Sequence, residues 1–146
     1  MLLIIILYGK EQSMQKHSRQ REAIKAYLDT HRTHPTAEQV YADVRVEFPK
    51  ISLGTVYRNL SLLTSIGEIQ RIVCGDESDH FDANITPHAH VCCCRCGKVE
   101  DVECQIPRSL MKHAQSNYDG EILSQSVVFQ GICVTCLIEE EDVRTH

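Results

Sequence analysis

The chain lacks any apolar run long enough to span a membrane. Its most apolar stretch, Leu2-Leu3-Ile4-Ile5-Ile6-Leu7-Tyr8, falls well short of the roughly 20 residues a spanning helix needs. No basic residue precedes that stretch and no small-residue cleavage site of the A-x-A type follows it, so a secretory signal is not expected. There is no internal repeat beyond two short cysteine pairs, and no H-E-x-x-H pattern of a zinc hydrolase. What remains is the composition of a globular protein, 42% hydrophobic and 24% charged over 146 residues, enough for one ordinary domain or two small ones. Residues 1–13 read as an N-terminal extension, with Met14 as the expected functional start.

Cysteine, by contrast, is abundant. All of the eight except Cys74 lie between residues 92 and 136. Secreted disulfide scaffolds reach similar densities, but C-x-x-C spacing without a secretory signal favours a reduced, cytoplasmic, zinc-binding protein. Cys93 and Cys96 form one such pair and Cys133 and Cys136 the other. Four thiolates suit one closed, tetrahedral, structural zinc per chain. Residues 97–132 separate the pairs, so they should sit on knuckles brought together by the fold. A catalytic thiol pair would need only one C-x-x-C beside a helix N-terminus. The run Cys92-Cys93-Cys94-Arg95-Cys96 leaves the register open, and Cys93 with Cys96 is chosen because it matches the other knuckle. Cys92 and Cys94 are then bystanders, and Cys74 and Cys104 read as buried or idle thiols.

Harder ligands stand nearby. His88 and His90 are two apart, which on a strand places both on one face, with Cys93 on the other. Asp82 and Asp101 flank them. Imidazoles with carboxylates suit Fe(II) or Mn(II) better than a thiolate-loving ion. The same chain is therefore expected to hold two metal sites of different softness.

Charge is divided along the chain. Residues 14–72 carry nine Lys/Arg against six Asp/Glu, a net +3, while residues 73–146 carry five against thirteen, a net −8. Any polyanion should therefore bind the first half. There, periodicity predicts a helix from Lys16 to about His31, with Ile24, Tyr27 and Leu28 on one face. A capping box at Thr36 to Gln39 opens a second helix running to Phe48. Ser52 caps a third, ending near Gly67. Strands from Glu68 to Val73 and from Asp79 to Ala83 then surround a turn at residues 75–78. Three helices followed by a hairpin is the order of a winged helix-turn-helix. Beyond the boundary at Asn84-Ile85-Thr86-Pro87, strands are expected over His88–Cys92, Lys98–Val102 and Glu121–Gln130, a helix over Pro107–Tyr118, and a short acidic tail over Leu137–Asp142. The fold class is α+β, with a DNA-binding domain at 14–84 and a dimerisation and metal-binding domain at 85–146.

The third helix has the makings of a reading head. Val56, Leu60 and Leu63 share one face and Arg58 lies opposite, with Thr55 beside it and Tyr57 and Asn59 on the shoulders. Arg pairs with guanine, Asn with adenine, and Thr or an aromatic ring can touch a thymine methyl. Ser52 and Gly54 stand in the first turn, where a backbone can approach phosphate. Double-stranded operator DNA is the expected partner.

At this point the chain resembles the ferric uptake regulator family of metal-dependent repressors. The resemblance rests on His34-Pro35-Thr36-Ala37, Gly54-Thr55-Val56-Tyr57-Arg58-Asn59-Leu60, His80-Phe81-Asp82, Ile85-Thr86-Pro87-His88-Ala89-His90, Cys96-Gly97-Lys98-Val99-Glu100-Asp101 and the final C-x-x-C. It implies an N-terminal winged-helix domain, a C-terminal α/β dimerisation domain, and a homodimer on palindromic operators. It implies structural zinc on Cys93, Cys96, Cys133 and Cys136. It also implies one regulatory Fe(II) or Mn(II) on His34, Asp82, His88, His90 and Asp101, of which local reasoning supports His34 least. Aspartate at position 101 resembles the peroxide-responsive branch, in which iron reacts with hydrogen peroxide and His34 and His88 become oxidised. An iron- or zinc-uptake repressor is the rival within the family. A metal-dependent hydrolase or thiol oxidoreductase is the rival outside it, and would leave the helix-turn-helix unexplained.

Overall fold

The computed structural model describes residues 17–75 and 78–144; the extension expected at residues 1–13 lies outside them. Among the described residues no helix is long and apolar enough to cross a membrane. Two structural units emerge, one made of residues up to 71 together with 81–85, the other of 72–80 and 86 onward.

The first unit is built on three helices. Residues 17–30 form α1. Thr36 caps α2 (Ala37–Glu47), and its capping box is complete: Gln39 N–H donates to the Thr36 hydroxyl at 3.4 Å and the Gln39 side chain accepts from Thr36 N–H at 2.8 Å. Ser52 caps α3 (Leu53–Ser65), accepting from Thr55 N–H at 3.1 Å. That helix stops in a Schellman arrangement, with Glu68 N–H on the Leu63 carbonyl and Gly67 N–H on the Thr64 carbonyl. The closing residue is Gly67, whose φ of 76° is the left-handed conformation such a stop requires. Ile24 and Leu28 of α1, Val40 and Val44 of α2, and Val56, Leu60 and Leu63 of α3 interlock in one core with Ile51, Ile69 and Phe81. Full burial of each large aliphatic side chain contributes about 1.5–3 kcal/mol.

Strands β1 (Gln70–Ile72) and β2 (His80–Asp82) pair as a short wing. Phe81 N–H donates to the Pro35 carbonyl at 3.0 Å, which fastens β2 to the loop that opens α2. Residues 76–77 of the expected turn lie outside the described residues.

The second unit holds a three-stranded sheet in the order β4-β3-β5. The central strand β3 (Ala89–Cys93) runs antiparallel to β4 (Val99–Val102) and parallel to β5 (Val127–Gly131). A parallel neighbour needs a crossover, and α4 (Arg108–Ser116) lies in the connection. The expected strand from Glu121 is shorter than foreseen, beginning at Val127 where the β-branched and aromatic run Val127-Val128-Phe129 pairs with β3. The tail expected to be merely acidic is the helix α5 (Val134–Arg144).

Candidate metal centres

The four-thiol site is assembled from two knuckles. The first is the turn after β3, where Cys93 N–H donates to the Lys98 carbonyl and Gly97 N–H to the Cys93 carbonyl; Gly97 sits at φ 73°. The second is the entry to α5, which carries Cys133 just before its first residue and Cys136 in its first turn. Strand pairing places Gly131 opposite Cys93, so β5 delivers the second knuckle beside the first.

The sulfurs lie where a zinc ion wants them. Cys93 Sγ and Cys136 Sγ are 3.9 Å apart, Cys96 Sγ and Cys133 Sγ 3.6 Å, and all four fall within 4.8 Å of one another. Tetrahedral zinc with Zn–S bonds of about 2.3 Å holds its sulfurs about 3.8 Å apart. The four residues present therefore fit structural zinc. Electrostatics agree. Backbone N–H groups of Cys133, Cys96 and Arg95 hold the Cys93 thiol down at about 6. The hydrogen bond with Cys133, followed by burial and the remaining thiols, pushes Cys136 up to about 12. For Cys96 the Lys98 N–H pulls downward, but hydrogen bonds with Cys93 and Cys133 and burial outweigh it and raise the thiol. The Cys93 thiolate is stabilised chiefly by backbone N–H groups, whereas Cys96 and Cys136 need a cation to ionise. Arg95 braces the cluster, donating to the Cys136 carbonyl at 3.2 Å and pairing with Glu140 at 2.8 Å. Its pattern, a lone Arg in a cysteine run, gave no advance sign of that role.

The candidate nitrogen–oxygen ligands are held by two separate pieces of structure. In the second unit, register sets His90 of β3 opposite Asp101 of β4. His90 Nε2 lies 3.5 Å and His88 Nε2 3.1 Å from Asp101 Oδ1. The Thr86 carbonyl, 2.6 Å from His88 Nδ1, orients that ring. Two imidazoles and one carboxylate thus converge. Neighbouring ligands of an octahedral ion with bonds near 2.1 Å sit about 3 Å apart, so the set fits Fe(II) or Mn(II). In the first unit, His34 Nε2 and Asp82 Oδ2 are 3.8 Å apart, both buried. Asp82 Oδ1 accepts from Asn84 N–H at 2.8 Å. His34 has φ 51°, a left-handed conformation uncommon outside glycine and typical of residues held for a purpose. The link from Pro35 to Phe81 supplies the hold.

The residues expected on the reading helix divide. Arg58, Tyr57 and Ser52 are exposed, as is Gly54, and Thr55 is half-buried. Arg58 donates to the Thr55 hydroxyl at 2.9 Å and Tyr57 to Glu38 of α2 at 2.7 Å; the latter bond holds the Glu38 carboxyl below its usual range. Asn59 departs from expectation. It is buried, its amide donates to the Thr55 carbonyl at 2.9 Å, and its oxygen accepts from Arg21 at 3.4 Å. α1 covers the shoulder on which helical periodicity placed it.

The other cysteines also divide. Cys94 and Cys104 are free and exposed. Cys92 is no bystander and Cys74 is not idle, because the two form a disulfide. Their separation in sequence hid the pairing.

Relatives place this arrangement. The ferric uptake regulator family model matches residues 12–129. The peroxide-responsive repressor PerR of Staphylococcus aureus (strain USA300) is 35% identical over 117 residues, 80% of this chain and 79% of that one. The Campylobacter jejuni peroxide stress regulator superposes with a TM-score of 0.71 at 26% identity, over 89% of this chain and 98% of that one. The Helicobacter pylori ferric uptake regulator shares the fold, with a TM-score of 0.67 at 21% identity, over 92% of this chain and 93% of that one. The chain belongs to the ferric uptake regulator family.

Proposed function

We propose that the protein is a metal-dependent transcriptional repressor of the peroxide-responsive kind, which binds operator DNA as a homodimer while Fe(II) or Mn(II) is bound and lets go when peroxide oxidises the iron site. The observation that carries this reading is the convergence of His88, His90 and Asp101, a nitrogen–oxygen set without a thiol. A zinc-uptake sensor would call for a cysteine there, and the neighbouring Cys92 is engaged with Cys74.

Two ligands on one unit and three on the other each leave such an ion short of its usual coordination. We assign all five to one ion: His34 and Asp82 from the part that carries α3, His88, His90 and Asp101 from the part that carries the sheet. Holding both sets at once selects one arrangement of the two parts, and the ion favours DNA binding by its differential affinity for that arrangement. When bound, Fe(II) supplies the electrons that reduce hydrogen peroxide beside its imidazole ligands. His34 and His88 hold their rings at that ion and are the residues that gain oxygen. Their oxidation removes two donors, so the ion and the arrangement it selects are lost together.

On the DNA side, Arg58 and Tyr57 face outward from α3, and Thr55 lies on the same side. A methyl group added at Gly54 would meet only Arg58 Nη1 and Ser52 Oγ, both at 3.9 Å. Among the described residues nothing demands glycine there, which supports close approach of a phosphate to that turn, with Ser52 beside it. Asn59 is removed from the set of base-reading residues. A DNA-binding regulator of this kind works in the cytoplasm, where its thiols and Fe(II) stay reduced.

The test loads the dimer anaerobically with Fe(II) or with Mn(II), adds hydrogen peroxide, and measures operator binding and peptide masses. Oxygen addition at His34 or His88 with loss of operator binding, in the iron form only, is the expected result. Unmodified histidines with retained DNA binding in the iron form would exclude it.

A further inference from the structure

Zinc takes four of the eight cysteines, and Cys94 and Cys104 stand alone at the surface. The remaining two are joined: Cys74, two residues beyond the wing strand β1, and Cys92, on β3, with Cα atoms 5.8 Å apart, inside the range a disulfide needs. They lie in a small apolar cluster of their own with Ile72, Val99 and Val128. Cys92 is buried, 4% exposed, whereas Cys74 is half-buried. Cys74 is thus the more solvent-exposed residue of the pair and Cys92 the buried one. In a compartment that keeps thiols reduced, a bond of this kind is transient and redox-linked.

The position of the bond gives it a consequence. It closes a loop across a sequence separation of 18, and that loop carries Asp82, His88 and His90, three of the five nitrogen–oxygen ligands. Cys92 also shares a face of β3 with His90 by strand parity, while Cys93 turns its sulfur to the zinc site. With the loop closed, the His88, His90 and Asp101 ligand atoms lie 3.1 and 3.5 Å apart, so closure is compatible with a formed site.

We propose that Cys74 and Cys92 are a peroxide-oxidisable dithiol whose disulfide closes the ligand-bearing loop and tightens its hold on the regulatory ion. The Cys74 sulfur attacks one oxygen of the peroxide. The O–O bond breaks, Cys74 becomes a sulfenic acid, and the other oxygen leaves as water with the thiol proton. The Cys92 sulfur then displaces the hydroxyl from Cys74; the S–S bond forms and a second water departs with the Cys92 proton. A dithiol reductant returns Cys74 and Cys92 to thiols by exchange, itself becoming the disulfide. Tightening follows because a loop already restricted loses less freedom when it binds the ion. The step is separate from histidine oxidation and needs no iron.

The experiment uses the zinc-bound, Mn(II)-loaded full chain, in which iron chemistry is absent. After hydrogen peroxide treatment, unfolding and thiol alkylation, peptide mapping should find Cys74 joined to Cys92, with zinc content unchanged and the bond removed by dithiothreitol. Mn(II) affinity of the oxidised protein should exceed that of the reduced protein about five-fold or more, and Cys74→Ser should abolish both the cross-link and the difference. Cys74 and Cys92 both alkylated after peroxide, or cross-links among the zinc thiols with zinc loss, would overturn the proposal, as would a cross-link that leaves Mn(II) affinity unchanged or lower. The affinity arm rests on the ligand assignment above. If the reduced protein fails to bind Mn(II) at all, that assignment fails instead, and the cross-link arm still decides the dithiol.

Discussion

Arg58 and Asn59 are neighbours in sequence with opposite duties. Arg58 points out from α3 beside Thr55, while Asn59 is spent on the Thr55 carbonyl and Arg21. Arg58→Ala should weaken operator binding by roughly five- to 150-fold, the 1–3 kcal/mol of a bidentate base contact, and leave thermal stability unchanged. Asn59→Ala should instead lower stability by about 1–3 kcal/mol, since the buried amide's bonds to the half-buried Thr55 and Arg21 are lost. Thermal melts beside operator titrations separate the two roles. Tyr27 gives a pH test. Burial, then a hydrogen bond and the charge of Asp43, raise its phenol to about 12. A group raised in the folded state contributes stability that is whole below its unfolded value near 10 and is lost as pH rises through about 12. Tyr27→Phe should flatten the stability curve in that alkaline window, and urea melts across it will show whether it does.

At the scale of elements, the zinc cluster does what a hydrophobic core would otherwise do. The first unit buries a continuous apolar core, whereas the described residues of the second form only small clusters, around Ile72, Cys92 and Val99 and around the zinc thiols. Removing zinc by a strong chelator, or by Cys133→Ser, should free α5 and β5. Hydrogen exchange should rise sharply in β3, β5 and α5 and stay slow in α2 and α3. Helices α2 and α3 were legible because each carried its own punctuation, Thr36 with Gln39 for one and Ser52 with Gly67 for the other, and α1 by its apolar face. The metal-bearing strand was legible by parity, which separates His90 from Cys93. Helix α5 was not, because Leu137 and Ile138 followed by four acids show no helical stripe; the element begins where Cys133 and Cys136 anchor it, and that anchor exists only in the folded chain. Asn59 was misread for a similar reason, since a helical wheel knows nothing of α1. The Cys74–Cys92 bond joins residues too far apart for any local spacing to reveal.

At the scale of the whole molecule, the proposed ligand His34 is what would make a metal-binding protein a regulator. Local sequence argued for His88, His90 and Asp101; only the family resemblance pointed to His34, and the structure adds its left-handed backbone and its place 3.8 Å from Asp82. His88→Ala should abolish Mn(II)-activated operator binding and leave zinc near one per chain; loss of zinc would mean the ligands have been divided wrongly between the sites. The most direct test of the central claim is His34→Ala. Mn(II) titration of the zinc-bound dimer, with operator binding followed in the same samples, should show Mn(II) affinity falling at least ten-fold, about 1.4 kcal/mol or more, and operator binding no longer responding to Mn(II). A variant that binds Mn(II) as the wild type does and still engages the operator on adding it would contradict the account.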